Sequence, residues 1–409
     1  MKRFYVFAAI IMLLVACSWA NVCVGAANQP DHITLTWTGN PATTMTITWR
    51  TDVAVTTGFV QYQNVTAHTS CAKRANATAS NFSTDLGTNK LFSTTLTDLS
   101  PNTSYSYRVG DGTHWSGMKV FSTASTEIHD FKFLIFGDSQ SPAGPYNVWR
   151  ETVHNAYKAN PDARFFVNVG DLVDCGQSMA HWDGWFAASA GVIDTIPAMP
   201  VVGNHETYGS SDTARPTYWN AQFHLPQNGP ASLKNQAYSY NYGPVHFVVL
   251  DSQQDEERRY GDILTLQKKW LDADLSSSKA PWKIVFFHKA PYSIKDGRDN
   301  KAVKDAFCPL FDKYHVNVVF NGHDHGVSRT YPMKNGSIVK QPSQGTIYYV
   351  AGRSGTKFYT DVRKRYFDEF FYKPQDQPNY LVVQVSNKKL TVRTVKQDGS
   401  LVDTFSIDK

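Results

Sequence analysis

The sequence predicts an all-β sandwich followed by a larger α/β domain, and three observations support this fold class. Thr-rich runs with period-two alternation fill the first part of the 409-residue chain, as half-buried antiparallel strands do. From residue 131 onward, apolar runs typical of strands buried on both faces alternate with helical patterns, as in a sheet covered by helices. Five of these apolar runs stop at Asp, Asn or His, so we expect a site at the strand ends.

The N-terminus has the pattern of an export signal spanning residues 1–26. A positively charged start is followed by an apolar run up to Ala16, which is too short to span a bilayer comfortably. A small-residue cleavage site before Ala27 competes with a lipobox-like segment that would place a lipid anchor on Cys17. No later run predicts a transmembrane helix. We therefore expect a secreted or extracytoplasmic protein, with lipid anchoring at the cell surface as the alternative.

The composition is that of a globular protein without a bias toward nucleic acid. Hydrophobic residues make up 42% and charged residues 18% of the chain, and the formal net charge is +5. Because this charge is slight and its basic residues are dispersed, it gives no reason to expect a nucleic-acid partner. The three cysteines beyond the export signal, Cys71, Cys175 and Cys308, are an odd number far apart in sequence. This is not a disulfide scaffold, and any pairing among them stays open.

Residues 27–124 are predicted to form the all-β sandwich. Apolar residues alternate with threonines from Ile33 to Trp37, which is the period of a strand with one buried face. The stretch from Leu99 to Tyr105 resembles the tyrosine corner of fibronectin type III-like sandwiches. The polar segment 71–90 predicts a long or irregular loop, and residues 122–130 predict the linker to the second domain.

Residues 130–409 are predicted to form the α/β domain. Apolar residues with helical spacing occur at 148–157, at 264–275 and at 303–314, so we expect three amphipathic helices there. The stretch 380–407 returns to strand patterns. Strands with helices between them form an open sheet whose ligands collect beyond the carboxyl ends of the strands.

Six polar side chains at the ends of apolar runs are the candidate metal ligands. They are Asp138, Asp171, Asn204, His288, His323 and His325. Oxygen and nitrogen ligands without a thiolate suit Zn, Mn or Fe and argue against a structural zinc knuckle. His323 and His325 are two residues apart, so on an extended backbone both would point to one side.

These motifs, in this order, resemble the calcineurin-like metallophosphoesterases, and especially the purple acid phosphatases. The matching residues are Asp138, Gly170-Asp171, Gly203-Asn204-His205-Glu206, His288 and Gly322-His323-Asp324-His325. The resemblance covers nearly all of the chain after the export signal, and the first domain is similar to the N-terminal domain of plant-type purple acid phosphatases. It implies a four-layer αββα sandwich, made of two mixed sheets flanked by helices, behind the fibronectin type III-like domain.

The resemblance also implies two divalent metal ions, Mn, Zn or Fe, that share the Asp171 carboxylate. The ligands of the first ion match Asp138, Asp171 and His325, and those of the second match Asp171, Asn204, His288 and His323. The implied reaction is hydrolysis of a small phosphate ester by attack of a metal-bound hydroxide. His205 would orient the phosphate or protonate the leaving group.

Two positions depart from the purple acid phosphatase pattern. Asp174 stands where those enzymes carry the tyrosine that holds ferric iron and gives the colour, so we expect a colourless protein that uses divalent ions. Gln140 stands where many relatives have a histidine ligand; its amide oxygen is a candidate weak ligand, with water as the alternative. Glu206 is expected to steady its loop rather than to bind metal, and Asp324 to face away from the ligand set.

Three functions are compatible with these residues. The first is an acid phosphatase-like enzyme for phosphomonoesters, and the second is a phosphodiesterase or nucleotide-hydrolysing enzyme on the same core. The third is a surface-attached binding protein with a structural metal core, although a complete ligand set beside His205 argues against it. The segments 208–227 and 293–300 would form the rim, where Lys295 and Arg298 either contact substrate or are exposed loop charges. The residues predict neither the natural substrate nor an oligomeric state.

Overall fold

The structure is a computed structural model that describes residues 29–66, 71–209, 215–253 and 262–409. The predicted export signal and Cys17 lie outside these residues. None of the helices in the described part of the chain could span a bilayer.

The N-terminal part is a sandwich of two four-stranded antiparallel sheets. Its strands are β1 (Asp31–Thr36), β2 (Met45–Asp52), β3 (Phe59–Asn64), β4 (Lys73–Asn76), β5 (Thr78–Thr84), β6 (Gly87–Leu96), β7 (Ser104–Gly110) and β8 (Lys119–Ser122). One sheet has the order β1-β2-β6-β5 and the other β4-β3-β7-β8. The Ser100 N–H donates to the Tyr105 hydroxyl oxygen (2.9 Å). The predicted all-β sandwich and its tyrosine corner are therefore confirmed.

The prediction of a loop over residues 71–90 is wrong. This segment contains β4, β5 and the start of β6. Both β4 and β5 are edge strands, and most of their side chains are exposed. An exposed edge strand is held by backbone hydrogen bonds along one side and needs no buried face, so its polar sequence carries no alternation of apolar residues.

The second part contains two larger sheets. Their strands, with one separate hairpin, are β9 (Asp130–Phe136), β10 (Ala163–Asn168), β11 (Tyr238–Tyr242), β12 (Val245–Val249), β13 (Trp282–Lys289), β14 (Val318–Gly322), β15 (Val327–Thr330), β16 (Met333–Lys334), β17 (Ser337–Ile338), β18 (Ile347–Ala351), β19 (Asp368–Tyr372), β20 (Asn379–Ser386), β21 (Lys389–Lys396) and β22 (Leu401–Asp408). The first sheet has the order β10-β9-β20-β21-β22 and the second β11-β12-β13-β14-β18-β15-β19. Strands β9 and β10 are parallel, as are β12, β13, β14 and β18.

Five α-helices accompany these sheets in the described residues. They are α1 (Asn147–Ala159), α2 (Met179–Ser189), α3 (Thr217–Gln222), α4 (Ile263–Ser277) and α5 (Lys301–Tyr314). Short 3₁₀ turns lie at Asn204–Thr207, Ala231–Leu233 and Pro342–Gln344. The three predicted helices correspond to α1, α4 and α5. Helix α2 buries most of its residues, so its sequence lacks the one-sided stripe by which a surface helix is recognised.

Aromatic contacts show the four layers of the second part. Phe133 of β9 packs against Phe247 of β12, across the space between the sheets (ring centroids 5.5 Å apart). On the other face of β9, Phe136 contacts Trp149 of α1 (5.0 Å). Phe287 of β13 contacts a ring of α5 (5.7 Å). Helices therefore cover the outer face of each sheet, as the predicted αββα sandwich requires.

The N-terminal sandwich contacts the second part through β1. Leu35 donates to the Ile193 carbonyl (3.0 Å) and accepts from the Ala198 N–H (2.8 Å). Arg50 of β2 pairs with Asp183 of α2 (2.7 Å). The change from one sandwich to the other falls between β8 and β9; the domain limits 27–124 and 130–409 stay a prediction.

Candidate metal centre

The six predicted ligands lie together where strands of both large sheets end. Asp138 follows β9, Asp171 follows β10, and Asn204 opens a 3₁₀ turn. The histidines come from the end of β13 and from the segment after β14. Two sets of ligand atoms each lie within 4.8 Å of one another, and their members are Asp138, Asp171 and His325 for the first and Asp171, His288 and His323 for the second. Asp171 belongs to both sets.

Four of these residues have a left-handed backbone, which side chains other than glycine seldom adopt. The φ angles are 42° at Asp138, 53° at Asp171, 74° at His323 and 52° at His325. Each such residue is less stable there than in its ordinary conformation, and such strain is found mostly at functional sites. The strand ends thus turn sharply toward a common point.

The expectation of an extended backbone at His323 and His325 is wrong. Strand β14 ends at Gly322, and the second N–H after it donates back to the Gly322 carbonyl (2.9 Å), closing a three-residue turn around His323. The two rings serve different neighbours. His323 Nδ1 lies 3.1 Å from His288 Nε2, whereas His325 Nε2 lies 3.3 Å from Asp138 Oδ1.

The Asp171 carboxylate is the centre of the cluster. Its Oδ2 lies 3.1 Å from His288 Nε2 and 3.8 Å from His205 Nε2. Its Oδ1 accepts a hydrogen bond from the His205 backbone N–H (3.0 Å). Burial alone would raise the pKa of Asp171, but the neighbouring His288 and His205 lower that pKa well below its usual value. The carboxylate is therefore held as an anion.

His288 provides a direct test of whether a cation fits. Its Nδ1–H donates to the Val169 carbonyl (2.9 Å), which leaves a lone pair on Nε2. That nitrogen faces Asp171 Oδ2 (3.1 Å), Asn204 Oδ1 (3.2 Å) and His323 Nδ1 (3.1 Å). Burial lowers the pKa of His288, and the Asp171 charge raises it to about 9. A proton or a metal ion is needed to hold so many atoms with lone pairs together. Carboxylate, amide and imidazole groups are ligands that suit a metal ion.

The second set contains a similar arrangement around His325. Its Nδ1–H donates to the Lys357 carbonyl (2.8 Å), which leaves Nε2 facing Asp138. The Gln140 amide nitrogen lies 3.3 Å from Asp171 Oδ2 and 3.4 Å from His325 Nε2, whereas Gln140 Oε1 is buried without a hydrogen bond. The two ends of an amide have nearly the same shape. If the amide group were turned over, Gln140 Oε1 would take the place of Nε2, and it could then bind a cation that lay between Asp171 and His325.

Two glycines are required where the backbone passes the cluster. A Cβ on Gly203 would lie 2.2 Å from both the backbone nitrogen and Oδ1 of Asp171. A Cβ on Gly170, whose φ is 98°, would lie 2.5 Å from His288 Nδ1. The ligand side chains are therefore seated directly against main chain, which fixes their positions.

Glu206 binds backbone rather than the ligand atoms, as predicted. Its Oε2 accepts from the N–H groups of Gly203 (2.7 Å) and Asp171 (2.9 Å), and its Oε1 accepts from Leu172 (2.8 Å). Burial and the Asp171 charge raise the pKa of Glu206 to about 8. One buried carboxyl group thus joins the two loops that carry Asp171 and Asn204.

Comparison with known protein families agrees with this geometry. Residues 30–123 match the family described as Purple acid Phosphatase, N-terminal domain. Residues 131–327 match the family described as Calcineurin-like phosphoesterase. This range contains all six candidate ligands. Residues 131–327 belong to the calcineurin-like phosphoesterases. The family implies that its members bind divalent metal ions.

Relatives of this chain include purple acid phosphatases. The structure of purple acid phosphatase PPD1 from yellow lupin seeds shares its fold, with a TM-score of 0.78 over 93% of this chain and 74% of that one, at 20% identity. Purple acid phosphatase 15 of Arabidopsis thaliana is 26% identical over 64% of this chain and 53% of its own length. Probable inactive purple acid phosphatase 24 of the same plant is 27% identical over 64% and 48%. The chain spans about half the length of these two curated relatives.

The rim of the candidate site is held by Asp324, which is fully buried. Its Oδ2 accepts from the Ser293 hydroxyl (2.8 Å) and from the Ile294 N–H (2.7 Å), and its Oδ1 pairs with Arg298 (2.6 Å). Arg298 also donates to the His323 carbonyl (2.5 Å). Lys295 is likewise paired with an aspartate (2.7 Å), so both predicted rim cations, Lys295 and Arg298, have carboxylate partners. Asp324 therefore anchors the 293–300 segment to the ligand segment.

Two rim residues, Lys357 and Tyr359, lie outside the predicted rim segments, whereas Tyr208 begins the predicted segment 208–227. Lys357 Nζ lies 2.9 Å from His205 Nε2. The Tyr208 ring lies 4.5 Å from the His205 ring, and the Tyr359 ring lies 4.6 Å from the His325 ring. Lys357 and Tyr359 follow β18, another apolar run that ends beside the cluster. The same strand-end rule would have drawn attention to this segment.

Proposed function

We propose that this chain is an exported phosphoesterase that hydrolyses phosphomonoesters with two divalent metal ions. The observation that carries the proposal is the shared Asp171 carboxylate, which belongs to two sets of ligand atoms, each within 4.8 Å. One carboxylate has two oxygens and can neutralise part of the charge on two cations. Paired cations about 3.5–4 Å apart are typical of phosphatases and other enzymes that attack phosphorus in line.

The proposed ligands divide between the two ions. The first set is Asp138, Asp171, His325 and, more weakly, Gln140; the second set is Asp171, Asn204, His288 and His323. The mixture of carboxylate, amide and imidazole suits Mn, Zn or Fe. When bound, the two cations would supply positive charge for the phosphoryl oxygens and make a water molecule acidic enough to attack phosphorus.

His205 would act on the leaving group. Its Nδ1–H is fixed on the Asp174 carbonyl (2.6 Å), so Nε2 is the atom that faces the cluster, 3.8 Å from Asp171 Oδ2. In the imidazolium form, Nε2–H donates to the leaving oxygen while Nδ1–H keeps the ring in place. In the neutral form, Nε2 accepts a hydrogen bond and orients its partner.

The proposed enzyme is colourless. Asp174 stands at the position of the iron-binding tyrosine, and its side chain is 44% exposed and lies 3.3 Å from His205 Nδ1. A carboxylate gives no tyrosinate charge-transfer band, so we expect divalent ions and no visible colour. An absorption band in the visible region of the metal-loaded protein would contradict this.

Turnover by metal-loaded protein tests the proposal. Protein stripped with a chelator and reloaded with Mn or Zn should hydrolyse p-nitrophenyl phosphate, and faster than bis-p-nitrophenyl phosphate. A faster diester reaction would instead indicate the phosphodiesterase. Elemental analysis should find two ions per chain, whereas Asp171→Asn should hold at most one ion and lose turnover. Two bound ions without turnover of either ester from pH 5 to 9 would indicate a binding protein with a structural metal core.

The proposed export and domain division have their own tests. Mass spectrometry of protein expressed in a secreting host should find a mature chain that begins near Ala27. A fatty-acylated chain that begins at Cys17 would indicate the lipid anchor instead. Limited proteolysis should cut between the proposed domains 27–124 and 130–409, because the linker contains neither helix nor strand.

A further inference from the structure

Lys357 contacts both proposed parts of the active centre. It lies in the loop after β18, and its backbone carbonyl accepts a hydrogen bond from His325 Nδ1–H (2.8 Å). Its half-buried side chain reaches the other way, and the ammonium donates to His205 Nε2 (2.9 Å). The main chain of this residue therefore supports a candidate ligand, while its charge lies beside the proposed proton donor.

The charge on Lys357 is unbalanced in a way that the other rim charges are not. Lys295 pairs with Asp361 (2.7 Å) and Arg298 pairs with Asp324 (2.6 Å). Within the described part of the chain, no carboxylate pairs with Lys357. A half-buried ammonium is poorly solvated and gains more from an anion than from a ring nitrogen.

The ammonium also has donors to spare beside the proposed reaction centre. A lysine carries three N–H groups, and one of them is directed at His205 Nε2. That nitrogen in turn lies 3.8 Å from Asp171 Oδ2. Two N–H groups of Lys357 therefore stay available, and only the His205 ring lies between the ammonium and the shared carboxylate. They lie on the side where the leaving group would be.

We propose that Lys357 binds a non-bridging phosphoryl oxygen and makes the site select phosphomonoesters over diesters. This inference rests on the proposed function. A monoester carries close to two negative charges at neutral pH, whereas a diester carries one because its second ester group replaces a charged oxygen. A fixed cation that binds this additional charged oxygen stabilises the monoester and gains little from the diester.

Three variants separate this role from a structural one. Lys357→Met removes the ammonium but keeps the carbonyl that binds His325, and Lys357→Arg keeps a positive charge. Lys388→Met is the matched control, because Lys388 lies in the turn after β20, at the end of the sheet opposite Asp138. We expect Lys357→Met to lower kcat/KM for p-nitrophenyl phosphate by about 10- to 100-fold, which corresponds to one hydrogen bond to a charged group.

The ratio of the two ester activities decides the matter. Lys357→Met should leave kcat/KM for bis-p-nitrophenyl phosphate almost unchanged, so that the preference for the monoester falls by the same factor. Lys357→Arg should retain most of the preference, and Lys388→Met all of it. The inference would be overturned if Lys357→Met lost the same factor on both esters, or lost activity on neither, because the ratio would then be unchanged.

A binding measurement tests Lys357 independently of turnover. Calorimetric titration of metal-loaded protein with inorganic phosphate should give a Kd about 10- to 100-fold higher in Lys357→Met than in the wild type. Metal content should be equal in the two proteins. If the wild type hydrolyses neither ester, the proposed function fails, but the phosphate titration still judges Lys357. The absence of a difference in phosphate affinity between the two proteins, or of any binding in both, would overturn the inference.

Discussion

Replacing Gly203 with alanine would show whether the shared carboxylate is seated against the main chain. The backbone at Gly203 has φ −104° and ψ 176°, a conformation that any residue adopts. Alanine therefore brings no backbone strain, and its effect comes from space alone. The new Cβ would lie 2.2 Å from the nitrogen and Oδ1 of Asp171, and 2.9 Å from Glu206 Oε2.

The magnitude follows from these contacts. An ordinary Cβ contact is 3.4–4 Å, so the Asp171 segment must move by about 1 Å, and overpacking of this kind costs about 1–3 kcal/mol. The movement also breaks at least one backbone hydrogen bond to the Glu206 carboxyl group, and the buried N–H left without a partner costs about 1–3 kcal/mol. We expect Gly203→Ala to lose about 3–5 kcal/mol of unfolding free energy in urea, and to bind fewer metal ions by elemental analysis.

Gly117→Ala is the matched control. No atom lies within 4 Å of a Cβ built on Gly117, and its φ is not in the left-handed region. We expect its unfolding free energy to stay within about 0.5 kcal/mol of the wild type, with unchanged metal content. If Gly203→Ala proves as stable as Gly117→Ala and holds as much metal, Asp171 does not occupy the position on which the proposed centre depends.

Three further predictions concern pH, the shared charge and the N-terminal sandwich. The pKa values of His288 and Glu206 are raised to about 9 and about 8 in the folded chain, so their protons stabilise it fully below the unfolded values. The metal-free protein should therefore lose about 3 kcal/mol or more between pH 6.5 and 9. Thermal melts should show a falling Tm that added Zn prevents, and a rising Tm would contradict this. Asp171→Asn should hold at most one ion per chain by elemental analysis, and two ions would disprove the bridge. Tyr105→Phe should cost about 1 kcal/mol in urea without changing ester turnover; a loss of turnover would show that the sandwich acts on the site.

The candidate ligands were predictable because their position depends on a simple rule of sheets. Four of the five apolar runs are buried strands, and parallel strands bring their carboxyl ends to one edge. The fifth run, which precedes Asn204, hydrogen-bonds to β10 without being a strand. The identity of the residue at each strand end is then enough to place it near the others. This local pattern required no knowledge of how far apart the segments are in sequence.

Other parts of the centre depend on backbone conformation or on contacts between loops, which leave little trace in the sequence. The left-handed turn at His323 replaced the expected extended strand, because a histidine carries no sign of a positive φ as glycine would. Lys357 meets His205 although 152 residues separate them. The edge strands in 71–90 were missed because most of their side chains are exposed to solvent, so their sequence shows no alternation of apolar and polar residues.

The strained strand ends explain why the centre should be coupled to stability. Left-handed backbone at Asp138, Asp171, His323 and His325 costs of order 1 kcal/mol or more at each residue. The anion at Asp171 and the lone pairs around His288 add repulsion that only a positive charge removes. Glu206, Gly203 and the packed sheets prevent the loops from relaxing away from one another, so the strain persists in the metal-free chain. A cation that binds there relieves this repulsion only in the folded state, and its binding free energy adds to the stability of the fold.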